Sequence, residues 1–526
     1  MDLTLTPAEM GLPPDRFPEW RPHQLLPIQA CLNSKKKYFL LNAPTGTGKS
    51  LCAWSVITAS GQRGLVNTVR RNLQLQYLQL PDTDYLWGKH NERCYLWPDD
   101  FDVESAPCSI GVACNARTQC PYFVHREQAR RARILVSNYY MTLYEANYVG
   151  HWTTGREWGI CDEAHHIEDV LVDFVALNLR KRRVTEFLAW PEDAETLTAW
   201  MMWANNAYPL LESEWRGRRA GFNFDKITDA AKMDLGQVTA YRQFQRLTRL
   251  KQTVEGLQKC DMNWYLESGY GGVTIKPLWG APFSHFLFDH FERVLAMSAT
   301  LLRGEFAARI MGVNPDDTEY METKSIFPIE NRWVYYYPIA NMALSKRAES
   351  FPKVLRAIDM ILARYPAGRG LIHAHSYSLA QDIYEASVYG KRAGKDARMF
   401  MHEPGGTGTA EAVERMLHDP RPLVAVSPNL SEGVDLPGRL SFQILPVVPW
   451  PSLGDIRVRL RLEAAPAWYS YQTAMNFAQA VGRGVRTPTD KVYSYVLDSQ
   501  FGRFFHQAKS FFPSHLKESI RWPSKE

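Results

Sequence analysis

The sequence predicts an α/β protein built on two parallel sheets, with helices on their faces and two long insertions in the first sheet. Two observations carry this prediction. Short apolar, β-rich runs recur in two groups along the chain, as buried parallel strands do. Helical stretches such as residues 471–481 separate the runs, which is the order of elements expected for parallel sheets.

The order of the elements along the chain defines the expected domains. The first group of runs lies at residues 38–42, 64–69, 134–138, 158–161 and 293–297, and the second at residues 370–375, 423–427, 442–448 and 492–498. Two insertions interrupt the first group. One spans about residues 82–132 and carries four cysteines; the other spans about residues 172–285 and is helix-rich, with Trp190, Trp200, Trp203 and Trp215. Proline and glycine around residues 312–328 mark the passage to the second sheet.

Composition bounds the class of protein. The chain has 526 residues, 45% hydrophobic and 22% charged, which excludes a largely disordered or collagen-like protein. The net charge of +5 is compatible with a polyanionic partner without requiring one. No run approaches eighteen apolar residues and the first residues lack the features of a signal peptide, so we expect a cytoplasmic protein that contacts no membrane.

A phosphate-binding loop follows the first apolar run directly and opens a helical stretch. Its residues are Ala43, Pro44, Thr45, Gly46, Thr47, Gly48, Lys49 and Ser50. In such a loop backbone N–H groups surround the phosphates, Lys49 reaches the β and γ oxygens, and the Ser50 hydroxyl ligates Mg²⁺. Ala43 stands where the commonest form of the motif has glycine, and it keeps a small side chain there.

Two adjacent carboxylates end the run at residues 158–161, in the tetrad Asp162, Glu163, Ala164 and His165. Asp162 is suited to holding the Mg²⁺ shell, while Glu163 is suited to orienting and deprotonating the attacking water. A solvated acidic turn is the alternative, but placement at the end of an apolar strand disfavours it.

Hydrolysis also needs positive charge delivered to the γ-phosphate from outside the loop. On a helix, Gln479, Arg483 and Arg486 would lie at i, i+4 and i+7 on one face, and a guanidinium there would act as an arginine finger. Alone, such a stripe is more often a solvated basic face. Together with the other two motifs, it predicts an ATP-hydrolysing site with Lys49, Glu163, Gln479, Arg483 and Arg486 as its catalytic residues.

With these motifs in this order, the chain resembles superfamily 2 helicases of the DinG/XPD type, which carry an iron–sulfur cluster. Further segments are similar to motifs of that family: Arg21 to Gln24, Thr68, Lys89 to Cys94, Ser137 to Tyr139, Ser298 to Thr300, His375 to Tyr377, and Ser431 to Asp435. One departure is Asp498-Ser499-Gln500, since many relatives have an arginine after the aspartate.

The resemblance implies two RecA-like parallel-sheet motor domains that hydrolyse ATP between them and move along DNA in the 5′ to 3′ direction. Motor domain 1 would comprise residues 1–81, 133–171 and 286–322, interrupted by an iron–sulfur insertion (82–132) and a helical arch (172–285), and motor domain 2 would comprise residues 323–526. ATP and Mg²⁺ would contact Arg21, Gln24, residues 43–50, Asp162, Glu163, His165, Gly433 and Asp435. DNA binding and coupling would involve Thr68, Asn138, Ser298, Thr300, Ser376, Arg130 and Arg131.

The four clustered cysteines are Cys94, Cys108, Cys114 and Cys120. Four thiolates can hold either Zn²⁺ or an iron–sulfur cluster, and structural zinc sites generally use pairs separated by two to four residues. Here every gap is at least five residues, so the spacing favours iron, with zinc and unliganded buried cysteines as alternatives. The resemblance implies a [4Fe-4S] cluster.

Two sets of arginines are candidates for contact with phosphates: Arg126, Arg130, Arg131 and Arg133 in one, and Arg242, Arg246 and Arg249 in the other. Runs of this kind are more often solvated faces. The expected partners are single-stranded and forked duplex DNA, for a monomeric motor in a bacterial or phage-infected cell. The rival hypothesis is a nucleic-acid-binding scaffold with an inactive ATPase, recruited to a larger assembly; it is disfavoured because the lysine, both carboxylates and the arginines are all present.

Overall fold

The computed structural model describes residues 6–21, 23–99, 101–106, 108, 113–150, 152–221, 233–402, 406–428, 430, 438–485, 487 and 489–523. Three residues expected to line the nucleotide site, Gly433, Asp435 and Arg486, lie outside these ranges.

The strands of the described residues are numbered along the chain. They are β1 (Tyr38–Asn42), β2 (Gly64–Thr68), β3 (Thr83–Tyr85), β4 (Ile134–Asn138), β5 (Trp158–Asp162), β6 (Leu177–Arg180), β7 (Trp264–Gly269), β8 (Gly272–Pro277), β9 (Arg293–Ser298), β10 (Thr318–Glu322), β11 (Val334–Ala340), β12 (Gly370–His373), β13 (Met399–Phe400), β14 (Val424–Ser427), β15 (Phe442–Leu445), β16 (Tyr493–Asp498) and β17 (Ile520–Arg521).

The helices are numbered in the same way. They are α1 (Leu25–Asn33), α2 (Lys49–Ser60), α3 (Arg71–Tyr77), α4 (Pro121–Arg131), α5 (Tyr139–Tyr144), α6 (Ile167–Val175), α7 (Lys181–Val184), α8 (Leu197–Gly221), α9 (Leu235–Gln258), α10 (His285–Phe288), α11 (Gly304–Met311), α12 (Arg347–Arg364), α13 (Tyr377–Ala386), α14 (Gly406–His418), α15 (Ile456–Ala464), α16 (Pro466–Val481), α17 (Gln500–Ala508) and α18 (Ser514–Ser519).

The first sheet has the strand order β10-β1-β9-β5-β2-β4-β3, and every pair in it is parallel. Its five inner strands are the five apolar runs predicted from the sequence. The edge strands β3 and β10 were not predicted, because both are only half-buried and lack a continuous apolar run. Two hydrophobic cores flank this sheet, one on each face.

The second sheet has the strand order β13-β14-β12-β15-β16-β11-β17 and is also parallel. The four predicted runs form β12, β14, β15 and β16 at its centre. The chain passes from the first sheet to the second between Glu322 and Val334. The prediction of two parallel sheets covered by helices is therefore confirmed.

Residues 172–285 contain more than the predicted helices. The long helices α8 and α9 pack on each other, and an antiparallel sheet with the order β6-β8-β7 adjoins them. This insertion was expected to be helix-rich, and the antiparallel sheet was not predicted, because the alternation of these half-buried strands is weak in the sequence. The four tryptophans lie in or against this core, where Trp200 is fully buried and stacks edge-on against Trp190 and Trp203.

The segment around residues 82–132 packs against α9. Cys94, Phe101 and Ala106 share a small hydrophobic core with Val238 and Tyr241. Within the described ranges, no helix combines the length and the apolar character needed to cross a membrane.

Candidate active site between the two sheets

A cleft of about 470 Å³ separates the carboxyl edge of the first sheet from the end of α16. The phosphate-loop residues, the Asp162–Glu163 pair and the end of α16 all line it. From the first sheet and its loops the lining includes Pro44, Thr45, Gly46, Gly48, Lys49, Ser50, Asp162, Glu163, His165 and Thr300, and from the second half of the chain it includes Gln479, Gly482, Arg483, Thr487 and His515. Residues predicted from three separate motifs thus face one cavity.

The phosphate loop follows β1 and ends where α2 begins, at Lys49. Gly46 and Gly48 adopt positive φ angles of 80° and 83°, which favour glycine. A Cβ on Gly48 would also lie only 2.4 Å from the Gln24 side-chain nitrogen. The Lys49 ammonium donates to the Ala43 carbonyl across the loop, over 3.2 Å. The loop is therefore shaped by its glycines and closed by the lysine that is expected to reach the phosphates.

The segment before α1 supports this loop from outside. The Gln24 side chain accepts a hydrogen bond from the Arg21 backbone N–H over 2.8 Å and donates to the Thr47 carbonyl over 3.4 Å. The Arg21 guanidinium donates to the Gly46 carbonyl over 3.2 Å. Arg21 and Gln24, both expected to contact ATP, thus contact the phosphate loop itself.

Asp162 ends β5 and is almost fully buried. The Tyr77 hydroxyl donates to its Oδ2 over 3.0 Å, and the Tyr139 hydroxyl donates to its carbonyl over 2.8 Å. Burial and the neighbouring Glu163 raise the pKa of Asp162 to about 6, against the opposing effects of Lys49 and Tyr77. A divalent cation beside this carboxylate would offset the cost of burying its charge.

Glu163 has a φ of 52°, a left-handed conformation that is unfavourable for a residue with a Cβ and is often found at functional sites. Burial by itself would raise its pKa, but His165, Lys49 and Arg483 among its neighbours lower the pKa below the ordinary value. Its carboxylate is therefore ionised at neutral pH and is able to accept a proton from water.

A polar chain connects Glu163 to the end of β9. The Ser298 hydroxyl lies 3.4 Å from the Glu163 carboxylate, 2.7 Å from His165 Nδ1 and 3.2 Å from the Thr300 hydroxyl. Burial, together with His166, lowers the pKa of His165 to about 3, so its imidazole is neutral. The structure thus brings the DEAH tetrad and the Ser298 to Thr300 segment into direct contact.

Gln479 and Arg483 reach the cleft from the second half of the chain. The Thr45 hydroxyl donates to the Gly482 carbonyl over 3.3 Å, so the phosphate loop touches the end of α16. The prediction of a continuous helix through residue 486 was wrong, since α16 ends at Val481 and Arg483 lies in the turn that follows. The turn nevertheless directs Arg483 into the cleft.

Comparison with known proteins agrees with this arrangement. The DEAD_2 family model matches residues 99–184, and the model of the helicase C-terminal domain matches residues 359–519. The resemblance to DinG/XPD-type superfamily 2 helicases is confirmed. Residues of both matched segments line the cleft, Asp162 and Glu163 from the first and Gln479 and Arg483 from the second.

Solved XPD structures share the fold. One XPD helicase is 15% identical with a TM-score of 0.60, over 96% of this chain and 99% of the other. Xpd4 of S. tokodaii is 15% identical with a TM-score of 0.57, over 96% of this chain and 100% of the other. A structure described as apo XPD is 14% identical with a TM-score of 0.56, over 95% and 99%. The likeness therefore extends over nearly the whole chain.

Three of the residues expected to bind DNA or to couple it to hydrolysis, Thr68, Asn138 and Ser376, do not line the nucleotide cleft. Thr68 is buried, and its hydroxyl donates to the Arg70 carbonyl. Asn138 and Ser376 cap the helices α5 and α13 through their side chains. Asn138 also lines a second cavity of about 470 Å³, together with Lys89, Tyr140, Tyr144, Tyr241, Phe244 and Arg249. This cavity lies between the first sheet, the segment after β3 and α9.

The two arginine sets divide into structural and exposed members. Arg126 is buried, and the Arg133 guanidinium donates to the Thr58 and Gln62 carbonyls. Arg130 and Arg131 are exposed on α4. Three arginines of α9, Arg242, Arg246 and Arg249, line a cavity of about 310 Å³ with Asp102 and Glu104. Within this set Arg242 stacks over Phe101 at 3.9 Å and Arg246 pairs with Glu186 at 2.8 Å.

The four cysteines gather in one region. Cys94 and Cys120 are buried, whereas Cys108 and Cys114 are partly exposed. Burial, together with the other three thiols, raises the pKa of Cys108 to about 11. Their donor chemistry fits an iron–sulfur cluster. Among the described residues, however, no group of three or more potential ligands is close enough to hold a metal ion.

Two residues of the cleft region were missed by sequence reasoning. Tyr77 contacts Asp162 and also interacts with the Ser50 side chain, so it touches both residues expected to bind Mg²⁺. His515 comes from the C-terminal segment; burial and Arg332 lower its pKa to about 4, and its Nδ1 has no hydrogen-bond partner among the described residues. Neither residue lies in a recognisable sequence motif, so their positions near the cleft become evident only from the three-dimensional structure.

Proposed function

We propose that this protein is a DNA helicase that hydrolyses ATP with Mg²⁺, moves 5′ to 3′ along single-stranded DNA and separates duplexes ahead of it. The observation that carries the proposal is the single cleft in which Lys49, Glu163 and Arg483 converge from three distant parts of the chain. Phosphoryl transfer of this kind needs positioning and charge stabilisation, which these side chains supply.

In the proposed reaction each residue has one task. Lys49 binds the β and γ oxygens, Ser50 and Asp162 hold the Mg²⁺ shell, and Glu163 orients the attacking water and takes its proton. Mg²⁺, when bound, neutralises charge on the phosphates. Arg483, with Gln479 beside it, stabilises the charge that develops on the γ-phosphate.

The coupling of ATP turnover to DNA is proposed to run through the Ser298 chain. His165 and Ser298 join Glu163 to the end of β9, so a shift of Glu163 on hydrolysis changes the hydrogen bonds of Thr300. Aromatic rings and cations around Asn138 suit a single strand, because bases stack on rings and phosphates pair with cations. The direction of movement rests on the resemblance alone.

We also propose that Cys94, Cys108, Cys114 and Cys120 hold a [4Fe-4S] cluster, which ties residues 82–132 together. Thiolates are the ligands that such clusters require, and binding would deprotonate the thiols. Residues 172–285 would form the arch that closes over the strand, since their α9 already packs against the cysteine segment.

Strand displacement on duplexes with 5′ or 3′ tails tests the proposal. With ATP and Mg²⁺ we expect displacement from the 5′-tailed substrate only, and loss of both displacement and DNA-stimulated ATP turnover in Lys49→Ala and Glu163→Gln. Arg503→Gln, an exposed change on α17, serves as the control and should retain both activities. DNA binding without ATP turnover in the unaltered protein would instead support the scaffold hypothesis.

A further inference from the structure

A buried ion pair joins the two halves of the motor at a distance from the cleft. The Arg461 guanidinium on α15 donates two hydrogen bonds to the Glu168 carboxylate on α6, over 2.6 and 3.0 Å. Their side chains are only 1% and 8% exposed. The guanidinium also donates to the Leu278 carbonyl over 2.7 Å. Bidentate geometry of this kind fixes orientation as well as distance.

A second pair lies beside the first. Arg457, one helical turn before Arg461, donates a single hydrogen bond to Asp169 over 2.7 Å. This pair is more open than the first, since the Asp169 side chain is 61% exposed and that of Arg457 16%. Arg457 and Arg461 lower the pKa of Asp169 below the ordinary value. Two adjacent carboxylates of α6 thus form ion pairs with two arginines on one face of α15.

The base of the insertion at residues 172–285 completes this junction. The Arg461 guanidinium contacts two indole rings that pack edge-on against each other, at 4.5 Å from Trp279 and 4.7 Å from Trp468. Gly280 passes so close to α6 that a Cβ on it would lie 2.5 Å from the Glu168 carbonyl. We call these contacts of Glu168, Asp169, Arg457, Arg461 and Trp279 the junction. It joins both sheets and the insertion.

Stability alone does not account for a charged junction. Burial raises the pKa of Glu168 although Arg461 opposes the shift, so burying this carboxylate carries a desolvation cost. Apolar residues of similar volume often replace buried ion pairs without loss of stability. A buried ion pair does fix one relative orientation of its two partners. A fixed orientation is useful where the two halves of the chain move relative to each other, because it defines the point about which they turn.

The position of the junction along the chain links it to the cleft. α6 begins only four residues after Glu163, and α15 leads directly into α16, which ends two residues before Arg483. α16 has 16 residues and is therefore about 24 Å long. If one end is fixed, a rotation of about 10° moves the other end by about 4 Å.

The two ends of α16 are held to the first half of the chain very differently. At the junction, three hydrogen bonds of Arg461 and one of Arg457, both on the preceding helix α15, hold this end to α6 and to Leu278. At the cleft, the 3.3 Å hydrogen bond from Thr45 to the Gly482 carbonyl is the contact to the phosphate loop. Within the second half of the chain the cleft end of α16 is held as well, because the Gln443 side chain donates to the Val481 carbonyl over 2.8 Å and Phe477 and Ala480 are buried. α16 and the second sheet therefore move as one body relative to the phosphate loop, and the junction ties that body to the first half of the chain.

We propose that Arg457 and Arg461, with Asp169 and Glu168, are positioning residues that form a fixed pivot, about which α16 carries Arg483 onto the nucleotide. The pivot rests on the proposed function, in which Arg483 completes the ATP site. In this proposal the four residues of the pivot touch neither the nucleotide nor the nucleic acid, and they affect hydrolysis through the position of α16.

The first test is the ATP kinetics of Arg457→Gln. Because the phosphate loop is unchanged, KM for ATP should stay within about twofold, while kcat falls about tenfold through the misplaced Arg483. Arg457→Lys should restore kcat, since a single hydrogen bond to Asp169 suits an ammonium. Arg459→Gln, an exposed change on the same helix, is the control and should match the unaltered protein.

The second test asks whether the pivot acts through Arg483. In an Arg483→Ala background, adding Arg457→Gln should lower the residual kcat no further, because the group being positioned is gone. Equal tenfold losses in both backgrounds, or an Arg457→Gln enzyme with unaltered kcat, would overturn the pivot. Thermal unfolding of each variant separates these outcomes from loss of the fold.

The third test does not depend on turnover. In hydrogen exchange, the amides of α15 should be equally protected with and without a non-hydrolysable ATP analogue, while those around Gly482 become more protected with it. Loss of α15 protection on adding the analogue would show that the junction opens, and the pivot would be wrong. Absence of ATP turnover in the unaltered protein would overturn the proposed function. The hydrogen-exchange result would then still show whether the junction stays closed, as the pivot requires.

Discussion

The Thr45 hydroxyl and the Gly482 carbonyl, 437 residues apart in the chain, are joined by a hydrogen bond of 3.3 Å. This contact brings the phosphate loop against the end of α16. It places Lys49 and Arg483 on opposite walls of one cleft, as an ATP site shared between two lobes requires.

Replacing Arg483 should impair chemistry more than binding. In Arg483→Ala the γ-phosphate loses its external cation, and arginine fingers contribute about 10³-fold or more to kcat. We therefore expect kcat for ATP to fall by at least about 100-fold with KM changed little. Steady-state ATP turnover with saturating single-stranded DNA measures both. Arg503→Ala should behave as the unaltered protein, and a loss confined to KM would contradict the assignment.

Tyr77 is expected to set the affinity for Mg²⁺. Tyr77→Phe removes the hydroxyl that donates to Asp162 and interacts with Ser50. Loss of a hydrogen bond to a charged group costs about 1.5–3 kcal/mol, so the half-saturating Mg²⁺ concentration should rise at least about tenfold, with kcat largely recovered at saturation. Titration of ATP turnover with Mg²⁺ checks this. Tyr365→Phe, which loses only a bond to Tyr495, should leave the titration unchanged.

The four clustered cysteines should bind iron. Protein purified without oxygen is expected to be brown, to contain about four iron atoms per chain, and to lose visible absorption on reduction. Cys114→Ser should lose both iron and colour, whereas Cys260→Ser, outside the cluster, should lose neither. Metal analysis by mass spectrometry distinguishes the ions. A colourless protein with stoichiometric zinc would contradict the iron prediction.

Buried His373 should make the fold sensitive to acid. Burial lowers its pKa to about 4, although its hydrogen bond to Gln443 opposes the shift. Between pH 6.5 and 4 the unfolded chain binds a proton that the folded protein does not, so the free energy of unfolding falls as the pH falls. The loss is on the order of 3 kcal/mol by pH 4, from about 1.4 kcal/mol per pH unit.

Denaturant unfolding between pH 7 and 4 measures this loss. In His373→Asn the decline should be smaller by that amount, because asparagine does not titrate. His418→Asn removes an exposed histidine and should leave the decline unaltered. An identical decline in His373→Asn and the unaltered protein would show that other groups cause it.

The sequence predicted the inner strands of both sheets, and these strands are buried on both faces. Continuous apolar runs such as residues 38–42 and 158–161 are required there, and so they stand out. Edge strands such as β3 and β10 are only half-buried and do not need a continuous apolar run. The antiparallel sheet of residues 172–285 was missed for the same reason.

The chemistry of the cleft was likewise readable where it depends on a local motif. Glycines with positive φ, a lysine at the start of a helix and a carboxylate at the end of a strand are fixed by neighbours in sequence. The position of Arg483 was not predicted correctly. It was expected on the face of a helix, but α16 ends at Val481.

The sequence by itself thus predicted the inner strands of both sheets and indicated the type of reaction proposed for the cleft, because backbone geometry and phosphate chemistry demand particular residues at short spacing. Only the tertiary structure decided which distant residues meet. Three examples are the hydrogen bond of Tyr77 to Asp162, the position of His515 in the cleft and the ion pair of Arg461 with Glu168. In each case the residues come from distant segments, and no repeating pattern in the sequence relates those segments. Such contacts depend on how the two sheets pack together, and packing leaves no regular pattern in the chain.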